Sequence, residues 1–335
     1  MSVDLTTTYL GLRLAHPLVV SACPLSGDLD MLRRLEEAGA AAAVFPSLFE
    51  EQIEHEELEL LRLVESGAGS SAEADGYLPA LAGYNIGPGG YLRRLEAAKH
   101  AVAIPLIGSL NGATAGGWTR YATSIQDAGA DALELNVHWV STEPWVGAGE
   151  VEKRIEDLVA EVCQSVAIPV AVKLGPYFTA LPHFARRLVD AGARGLVLFN
   201  RLVHPDMDLD KLALAPRLAL SNPLDVRLPL NWIAILRDQV EVSLGASGGV
   251  HAAEDAVKLL LAGADAVLVA STLYRKGPQQ IGDLRGGLEA WLEERGYRSV
   301  RQMKGSLSRA HCPDPECYER VNYMKTLVHF GRSLP

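Results

Sequence analysis

The chain has 335 residues, 48% hydrophobic and 21% charged, a balance that is typical of a folded globular protein and excludes a disordered one. Its formal net charge of -10 argues against a nucleic-acid partner, although backbone amides with one or two cations can still bind a phosphate. No apolar run reaches the roughly 18 residues that cross a bilayer, no secretory signal opens the chain, and four cysteines are too few for a disulfide scaffold. We therefore expect a soluble cytoplasmic protein with neither a membrane nor a nucleic-acid partner.

Short apolar runs alternate with longer helical stretches along the chain. Each run is nearly continuous, as expected for parallel strands that are covered on both faces. The eight predicted strands are Pro17–Ala22, Ala41–Phe45, Ile104–Gly108, Ala132–Asn136, Val170–Lys173, Gly195–Asn200, Glu241–Gly245 and Ala266–Ala270. The helices predicted between them are Asp30–Ala38, Trp118–Ala128, Glu150–Ser165, Leu181–Ala191, Asn231–Arg237 and Ala253–Leu261. This alternation predicts an α/β fold, a single (β/α)8 TIM barrel.

One helix-to-strand junction, Ala-Gly-Ala, recurs four times, around Gly39, Gly129, Gly192 and Gly263. Glycine suits the position after a helix because it turns left-handed without a Cβ clash. Four copies among eight strands favour a barrel over an open doubly wound sheet. We interpret these glycines as packing and turn residues, not functional ones.

Two segments interrupt the pattern. Residues 50–76 are Glu-rich and end in a Ser/Gly stretch, which indicates an exposed acidic insertion after the second strand. The tail after Gly296 is predicted to form a helical extension that ends near Phe330. Its Cys312 and Cys317 lack the further ligands that zinc or an iron–sulfur cluster needs, so no metal site is expected. We divide the chain into a barrel at 1–307 and a C-terminal extension at 308–335.

The carboxyl ends of the strands carry the active site in barrels of this kind. Gly248 and Gly249 follow the seventh predicted strand, and Ala270 and Ser271 follow the eighth. Their free amides and hydroxyl meet where such barrels usually bind phosphate. Gly-Gly alone could be a turn, but this position with a partner on strand eight favours phosphate binding.

Lys173 ends the fifth predicted strand, where burial of an ammonium is costly without an anionic partner. This position predicts one of two roles for Lys173. It neutralises the negative charge of a reduced flavin, or it forms a Schiff base with a carbonyl substrate, as in an aldolase. Asn136 and Asn200, at the ends of the fourth and sixth strands, offer neutral donors and acceptors for a planar polar ring. Core asparagines satisfied by neighbouring loops are the alternative for both.

Several segments together resemble the signatures of dihydroorotate dehydrogenases, and the class 1 enzymes most. They are His16-Pro17-Leu18, Tyr84-Asn85-Ile86-Gly87, Glu134-Leu135-Asn136, Val172 to Phe178, Gly248-Gly249-Val250 with Asp255-Ala256, Leu273 to Pro278, Gly296 to Ser299 and Lys304-Gly305. The resemblance covers residues 5 to 307. It implies an FMN-dependent oxidoreductase that dehydrogenates the CH–CH bond of dihydroorotate or a related dihydropyrimidine-like compound in pyrimidine biosynthesis. A homodimer, with a separate redox protein in some members, is also implied.

The resemblance implies roles for individual residues. Lys173 would contact the pyrimidine edge of the flavin and stabilise its anionic reduced form. The residues implied to hold FMN are Ser21, Ala22, Asn136, Lys173, Asn200, Gly248, Gly249, Ala270 and Ser271. Those implied to meet the substrate are Asn85, Asn136 and Asn200.

The substrate half of the site departs from the family pattern. Trp139 stands where the family carries a Cys or Ser base, and an indole cannot abstract a proton. Ser141 and the segment 78–81 stand where the family carries substrate-binding asparagines, and the segment 44–47 lacks a flavin-contacting lysine. We therefore expect a flavin oxidoreductase whose substrate can differ from dihydroorotate.

His138 is the predicted acid–base residue, because it is a loop histidine of near-neutral pKa beside the expected reacting centre. Ser141 is a weaker candidate. Packing of His138 on Trp139 or Trp145 is the alternative for that side chain. For the whole chain, the alternative is a non-catalytic or electron-transfer flavoprotein subunit of a larger redox complex.

Overall fold

The structure, a computed structural model, describes residues 3–53, 87–112, 118–137, 139–201, 204–216 and 218–332. Its strands are β1 (Thr7–Tyr9), β2 (Leu12–Leu14), β3 (Leu18–Val20), β4 (Ala43–Val44), β5 (Leu48–Phe49), β6 (Leu106–Gly112), β7 (Ala132–Val137), β8 (Val170–Leu174), β9 (Gly195–Leu198), β10 (Pro205–Asp208), β11 (Ala213–Pro216), β12 (Ser243–Ser247) and β13 (Ala266–Val269).

The α-helices are α1 (Pro24–Gly27), α2 (Leu29–Glu37), α3 (Gly87–Ala101), α4 (Trp118–Asp127), α5 (Ala148–Ser165), α6 (Leu181–Asp190), α7 (Arg227–Leu236), α8 (Ala253–Ala262), α9 (Ser271–Lys276), α10 (Gln280–Glu294), α11 (Val300–Met303) and α12 (Val321–Arg332). Two 3-10 helices cover Pro223–Val226 and Pro315–Tyr318.

Eight parallel strands close into a barrel. The pairing runs from β3 through β4, β6, β7, β8, β9 and β12 to β13, which pairs back with β3. The short β5 adds a further parallel pairing to β6. The (β/α)8 barrel predicted from the sequence is confirmed, and each of its eight predicted strands is present.

Alternate residues of each strand point to opposite faces, which determines what reaches the barrel interior. Leu133 and Leu135 of β7 pack in the core between strands and helices. Ala132, on the same strand, belongs to the core inside the barrel together with Ala171 of β8. By this alternation Glu134 and Asn136 share the inward side of β7, and Lys173 shares the inward side of β8.

An amino-terminal hairpin, β1 with β2, closes the floor of the barrel. Tyr9, Leu10 and Leu14 are buried there against interior residues such as Val197. Burial raises the pKa of Tyr9 well above its ordinary value, and the charges of Glu134 and Asp265 act in the same direction. This hairpin is not predictable from the sequence, because three-residue strands carry too little pattern.

Most predicted helices lie within a few residues of their predicted bounds, and Gly39, Gly129, Gly192 and Gly263 all have positive φ angles. β6 continues to Gly112 instead of ending at Gly108. β10 and β11 form an unpredicted antiparallel hairpin after β9, with exposed apolar side chains.

The acidic insertion predicted at 50–76 lies almost entirely outside the described residues. In the tail, short helices precede α12, and the thiols of Cys312 and Cys317 are free. Within the described ranges, no group of metal-ligating side chains could hold an ion, and no helix is long and apolar enough to cross a membrane.

Candidate functional site

A cavity of about 830 Å³ opens at the carboxyl ends of the barrel strands. Every barrel strand, or the loop that follows it, contributes to its lining. The predicted site residues that line it are Ser21, Ala22, Asn136, Lys173, Asn200, Gly248, Gly249, Ala270 and Ser271. An open groove of about 930 Å³ lies at the opposite end of the barrel, and none of the predicted site residues lines it.

Lys173 forms the polar floor of the cavity. It is buried, at 5% exposure, and its Nζ lies 3.2 Å from Glu134 Oε1 and 3.4 Å from Ser21 Oγ. The expectation that a buried lysine needs an anionic partner is therefore met by Glu134 on the neighbouring strand. Glu134 does not line the cavity, so Lys173 lies between it and the cavity space.

Asn136, on β7, and Asn200, just after β9, flank Lys173 on either side of β8. The side chain of Asn136 is almost fully buried, and its Oδ1 has no hydrogen-bond partner in the described part of the chain. A buried acceptor without a partner is costly, so a donor from a bound ligand would stabilise it. Asn200 is half-buried and its backbone N–H donates to Leu174 O at 2.7 Å.

Gly248 and Gly249 turn the chain after β12 with φ angles of +111° and +77°. A Cβ on Gly249 would lie 2.0 Å from the backbone N of Val226, so only glycine fits there. A Cβ on Gly248 would have no neighbour within 4 Å, so its backbone borders open space. The loop is therefore held close to the start of α7 while one residue leaves room at the cavity.

Ser221, in the segment before α7, closes the same end of the cavity. Its N–H donates to Ser271 Oγ at 2.9 Å, and its Oγ lies 3.2 Å from His251 Nε2. Arg275 donates to its carbonyl at 3.3 Å. Burial lowers the pKa of His251, and the charge of Arg275 lowers it further against the hydrogen bond with Ser221.

The cavity is richer in positive than negative charge, although the chain as a whole is acidic. Among the described residues, its charged lining side chains are Lys173, Arg201, Arg227 and Asp225. Arg201 donates to Asp225 Oδ2 at 3.0 Å. Burial alone would raise the pKa of Asp225, but hydrogen bonds from Asn222 and Arg201 hold it below its ordinary value. This balance suits an anionic ligand.

Cys23 also lines the cavity, and its thiol is buried. Burial raises the pKa of Cys23 above its ordinary value. The thiol is therefore a poor nucleophile at neutral pH. At the mouth, Tyr177 Oη and His204 Nε2 lie 3.4 Å apart on two further lining residues.

Three further predicted residues are not among those that line the described part of the cavity. His138 and Asn85 lie outside the described residues. Ser141 is exposed and does not line the cavity. Trp139 is half-buried, with the Arg154 guanidinium over its ring at 5.2 Å.

Several lining or supporting residues were not predicted from the sequence, including Glu134, Asn111 and Arg201. Asn111 was missed because β6 was predicted to end earlier. Glu134 carried a usable signal, since it is an acid at an inward position of an otherwise apolar strand beside a lysine-bearing strand. Arg201 had no such signal, because its contact with Asp225 joins distant loops.

Comparisons with known proteins agree with this geometry. A family model described as dihydroorotate dehydrogenase matches residues 71–292. A putative dihydroorotate dehydrogenase A (fumarate) of Aeropyrum pernix is 32% identical over 215 residues, covering 62% of this chain and 69% of the relative. The dihydroorotate dehydrogenase B (NAD(+)) catalytic subunit of Methanosarcina acetivorans is 29% identical over 301 residues, which cover 88% of this chain and 93% of the relative. That of Thermoplasma volcanium is 26% identical over 308 residues, covering 90% and 98%.

A closed parallel barrel with a polar cavity at its strand ends defines an enzyme of the TIM-barrel class. Within that class, the chain belongs to the dihydroorotate dehydrogenase family. It is an oxidoreductase of the kind that acts on CH–CH groups of small molecules, and the family is flavin-dependent. The alternative of a non-catalytic subunit is not favoured.

Proposed function

We propose that this chain binds FMN and oxidises dihydroorotate or a related dihydropyrimidine-like compound. The observation that carries the proposal is the convergence of nine predicted residues on one cavity whose floor is the buried Lys173. The volume of about 830 Å³ lies in the range of cofactor sites. Dihydroorotate is the substrate named for the relatives, which supports it as the first compound to test.

The residues of the site fit FMN. The backbone of Gly248 borders open space, so a phosphate has room to approach its amide. Ser271 adds a hydroxyl from the start of α9, and the orphaned Oδ1 of Asn136 calls for an N–H donor such as a flavin or pyrimidine ring carries. Gly249 and Ala270 would complete the phosphate end, and Ser21 and Ala22 the ring end.

The protein's own residues would bind the cofactor and the substrate and orient them toward each other. FMN, when bound, supplies a two-electron acceptor for hydride. Lys173 would place a positive charge at the floor of the cavity, where negative charge develops on reduction. Asn136 and Asn200 would orient planar rings by hydrogen bonds, and the segment around Ser221 would exclude water from the phosphate end.

Dehydrogenation of a CH–CH bond removes a hydride from one carbon and a proton from its neighbour. A base must accept that proton. We propose His138, through a ring nitrogen, as this base, with Ser141 as the weaker candidate. Asn85 is proposed as a further substrate contact. Ser141 would reach the cavity only if its loop moved inward, because the side chain is exposed. Trp139 packs with Arg154 and cannot serve.

We also infer the finer organisation of the protein. The barrel at 1–307 carries the site, and the extension at 308–335 packs beside it, with Arg309 N donating to Ala234 O of α7. A homodimer in the cytoplasm that serves pyrimidine biosynthesis is proposed. A separate redox protein is proposed as electron acceptor, supported by the relatives named as catalytic subunits.

The test is an anaerobic titration of the purified, FMN-loaded chain with dihydroorotate, followed by the visible flavin absorbance. Bleaching is expected, and it should slow at least tenfold in His138→Asn if that residue is the base. Persistent yellow colour would reject dihydroorotate and move the search to other dihydropyrimidines. Failure to take up added FMN would overturn the proposal. His183→Asn, at an exposed histidine of α6 that does not line the cavity, is the matched control and should bleach like the wild type.

A further inference from the structure

Glu134 is a buried carboxylate that the proposed chemistry does not use. Its side chain is 1% exposed, and that of its partner Lys173 is 6% exposed. Glu134 Oε1 lies 3.2 Å from the lysine Nζ, while Oε2 has no hydrogen-bond partner among the described residues. Both side chains point into the barrel from the neighbouring strands β7 and β8.

Stability alone does not explain this pair. A buried ion pair seldom adds net stability, because the desolvation of two charges offsets their attraction. The carboxylate also keeps one oxygen unsatisfied, which is a further cost. The pair does place a second charge of opposite sign directly behind the lysine that forms the cavity floor. In an interior of low dielectric, that charge acts over several ångströms.

We propose that Glu134 is a positioning residue that holds the Lys173 ammonium at the cavity floor and, by neutralising its charge, lowers the reduction potential of the bound flavin. The inference rests on the proposed FMN site. An uncompensated lysine would stabilise the extra negative charge of the reduced flavin more strongly than the neutral pair does. The carboxylate therefore favours passing electrons onward.

The experiment measures the two-electron midpoint potential of FMN in the full-length wild type and in Glu134→Gln. The glutamine keeps the acceptor oxygen and removes the charge. The potential is expected to rise by about 30 mV or more, a tenfold change in the equilibrium constant of a two-electron couple. Glu134→Asp keeps the charge and should restore the wild-type potential. Asp265→Asn, another buried acid (7% exposed) paired with Arg237 and Lys304 at the opposite end, is the matched control and should leave it unchanged.

A cofactor-free measurement tests the ion pair itself. Lys173→Met leaves the Glu134 carboxylate without its cation, so the Tm of this variant should lie several degrees below that of the wild type. Adding Glu134→Gln should recover part of that loss. A double variant that melts at or below the Lys173→Met single variant would show no coupling and would overturn the positioning role.

The outcomes separate the inference from the proposed function. If the wild type takes up no FMN, the proposed function fails and the tuning role fails with it. If FMN binds but its potential in Glu134→Gln is unchanged or lower, the inference alone fails. An equal rise in Glu134→Asp and Glu134→Gln would also overturn it, because charge would not be the cause.

Discussion

His16 is a buried residue whose two ring nitrogens are both engaged. The N–H of Leu18 donates to Nδ1 at 3.2 Å, so the ring proton is on Nε2, which donates to Gly39 O at 2.6 Å. Burial lowers the pKa of His16; the bond to Gly39 opposes this, and the charge of Arg285 reinforces it. Protonation at Nδ1 would break the bond from Leu18 and place a charge in the core.

This arrangement predicts acid sensitivity. His16 takes up a proton near pH 6.5 in the unfolded chain and only at lower pH in the folded chain. At pH values between these two pKa values, the unfolded state therefore binds more protons than the folded state. The contribution of His16 is therefore complete above pH 6.5 and is lost as pH falls through the folded pKa. We expect the Tm of the wild type to fall on acidification and that of His16→Gln to be lower but less dependent on pH.

Differential scanning fluorimetry from about pH 7.5 to about pH 5 follows the Tm through the unfolded-state pKa of His16 and below it. His183→Gln, at an exposed histidine of α6, is the control and should keep the wild-type slope. Equal slopes in His16→Gln and the wild type would contradict the assignment.

At the scale of elements, the loop after β12 joins the proposed phosphate end of the cavity to α7. Gly249 approaches Val226 so closely that a Cβ would lie 2.0 Å from its backbone N. A side chain there must separate the loop from the 3-10 helix Pro223–Val226, which carries Asp225 into the cavity lining. The position therefore couples packing of the barrel to the shape of the site.

We predict that Gly249→Ala lowers stability by about 3 kcal/mol or more, since it combines backbone strain with a steric clash. Its affinity for FMN should fall at least tenfold. Gly248→Ala carries the strain without the clash, because no atom lies within 4 Å of its Cβ, so its loss of stability should be smaller. Urea unfolding and quenching of flavin fluorescence measure the two effects. Equal unfolding midpoints for the two variants would contradict this account of the loop.

At the scale of the whole molecule, local and global charge have opposite signs. The chain carries a net charge of -10, while the cavity lining, as far as the structure describes it, has three formal cations, Lys173, Arg201 and Arg227, against Asp225. A phosphorylated ligand must approach an acidic protein and then enter a positive cavity. The phosphate should consequently contribute a large part of the binding free energy inside the cavity, and salt should weaken that contribution.

We predict that FMN raises the Tm of the cofactor-free protein far more than riboflavin, which lacks the phosphate, at the same concentration. A ligand at a hundred times its Kd stabilises by roughly 2.7 kcal/mol, which is enough for a clear shift. The difference between the two ligands should shrink at high salt. Equal shifts from both would mean that the loops around Gly248 and Ser271 do not bind the phosphate.

The sequence by itself determined the strands, the barrel and nine of the residues that line the cavity at its strand ends. Eight apolar runs with recurrent Ala-Gly-Ala junctions have few alternative folds, because parallel strands must be covered on both faces. Since a barrel brings its strand ends to one side, residues such as Asn136 and Lys173 could be assigned to a common site without coordinates.

Only the tertiary structure decided which side chains complete that site. Glu134 pairs with Lys173 across β7 and β8, and Ser221 reaches Ser271 across 50 positions of sequence. Such pairings depend on strand register and on the path of loops, which leave no periodic pattern in the chain. The exposure of Ser141 could not be predicted from the sequence either. The direction of a loop is set by what it packs against and not by its residue types.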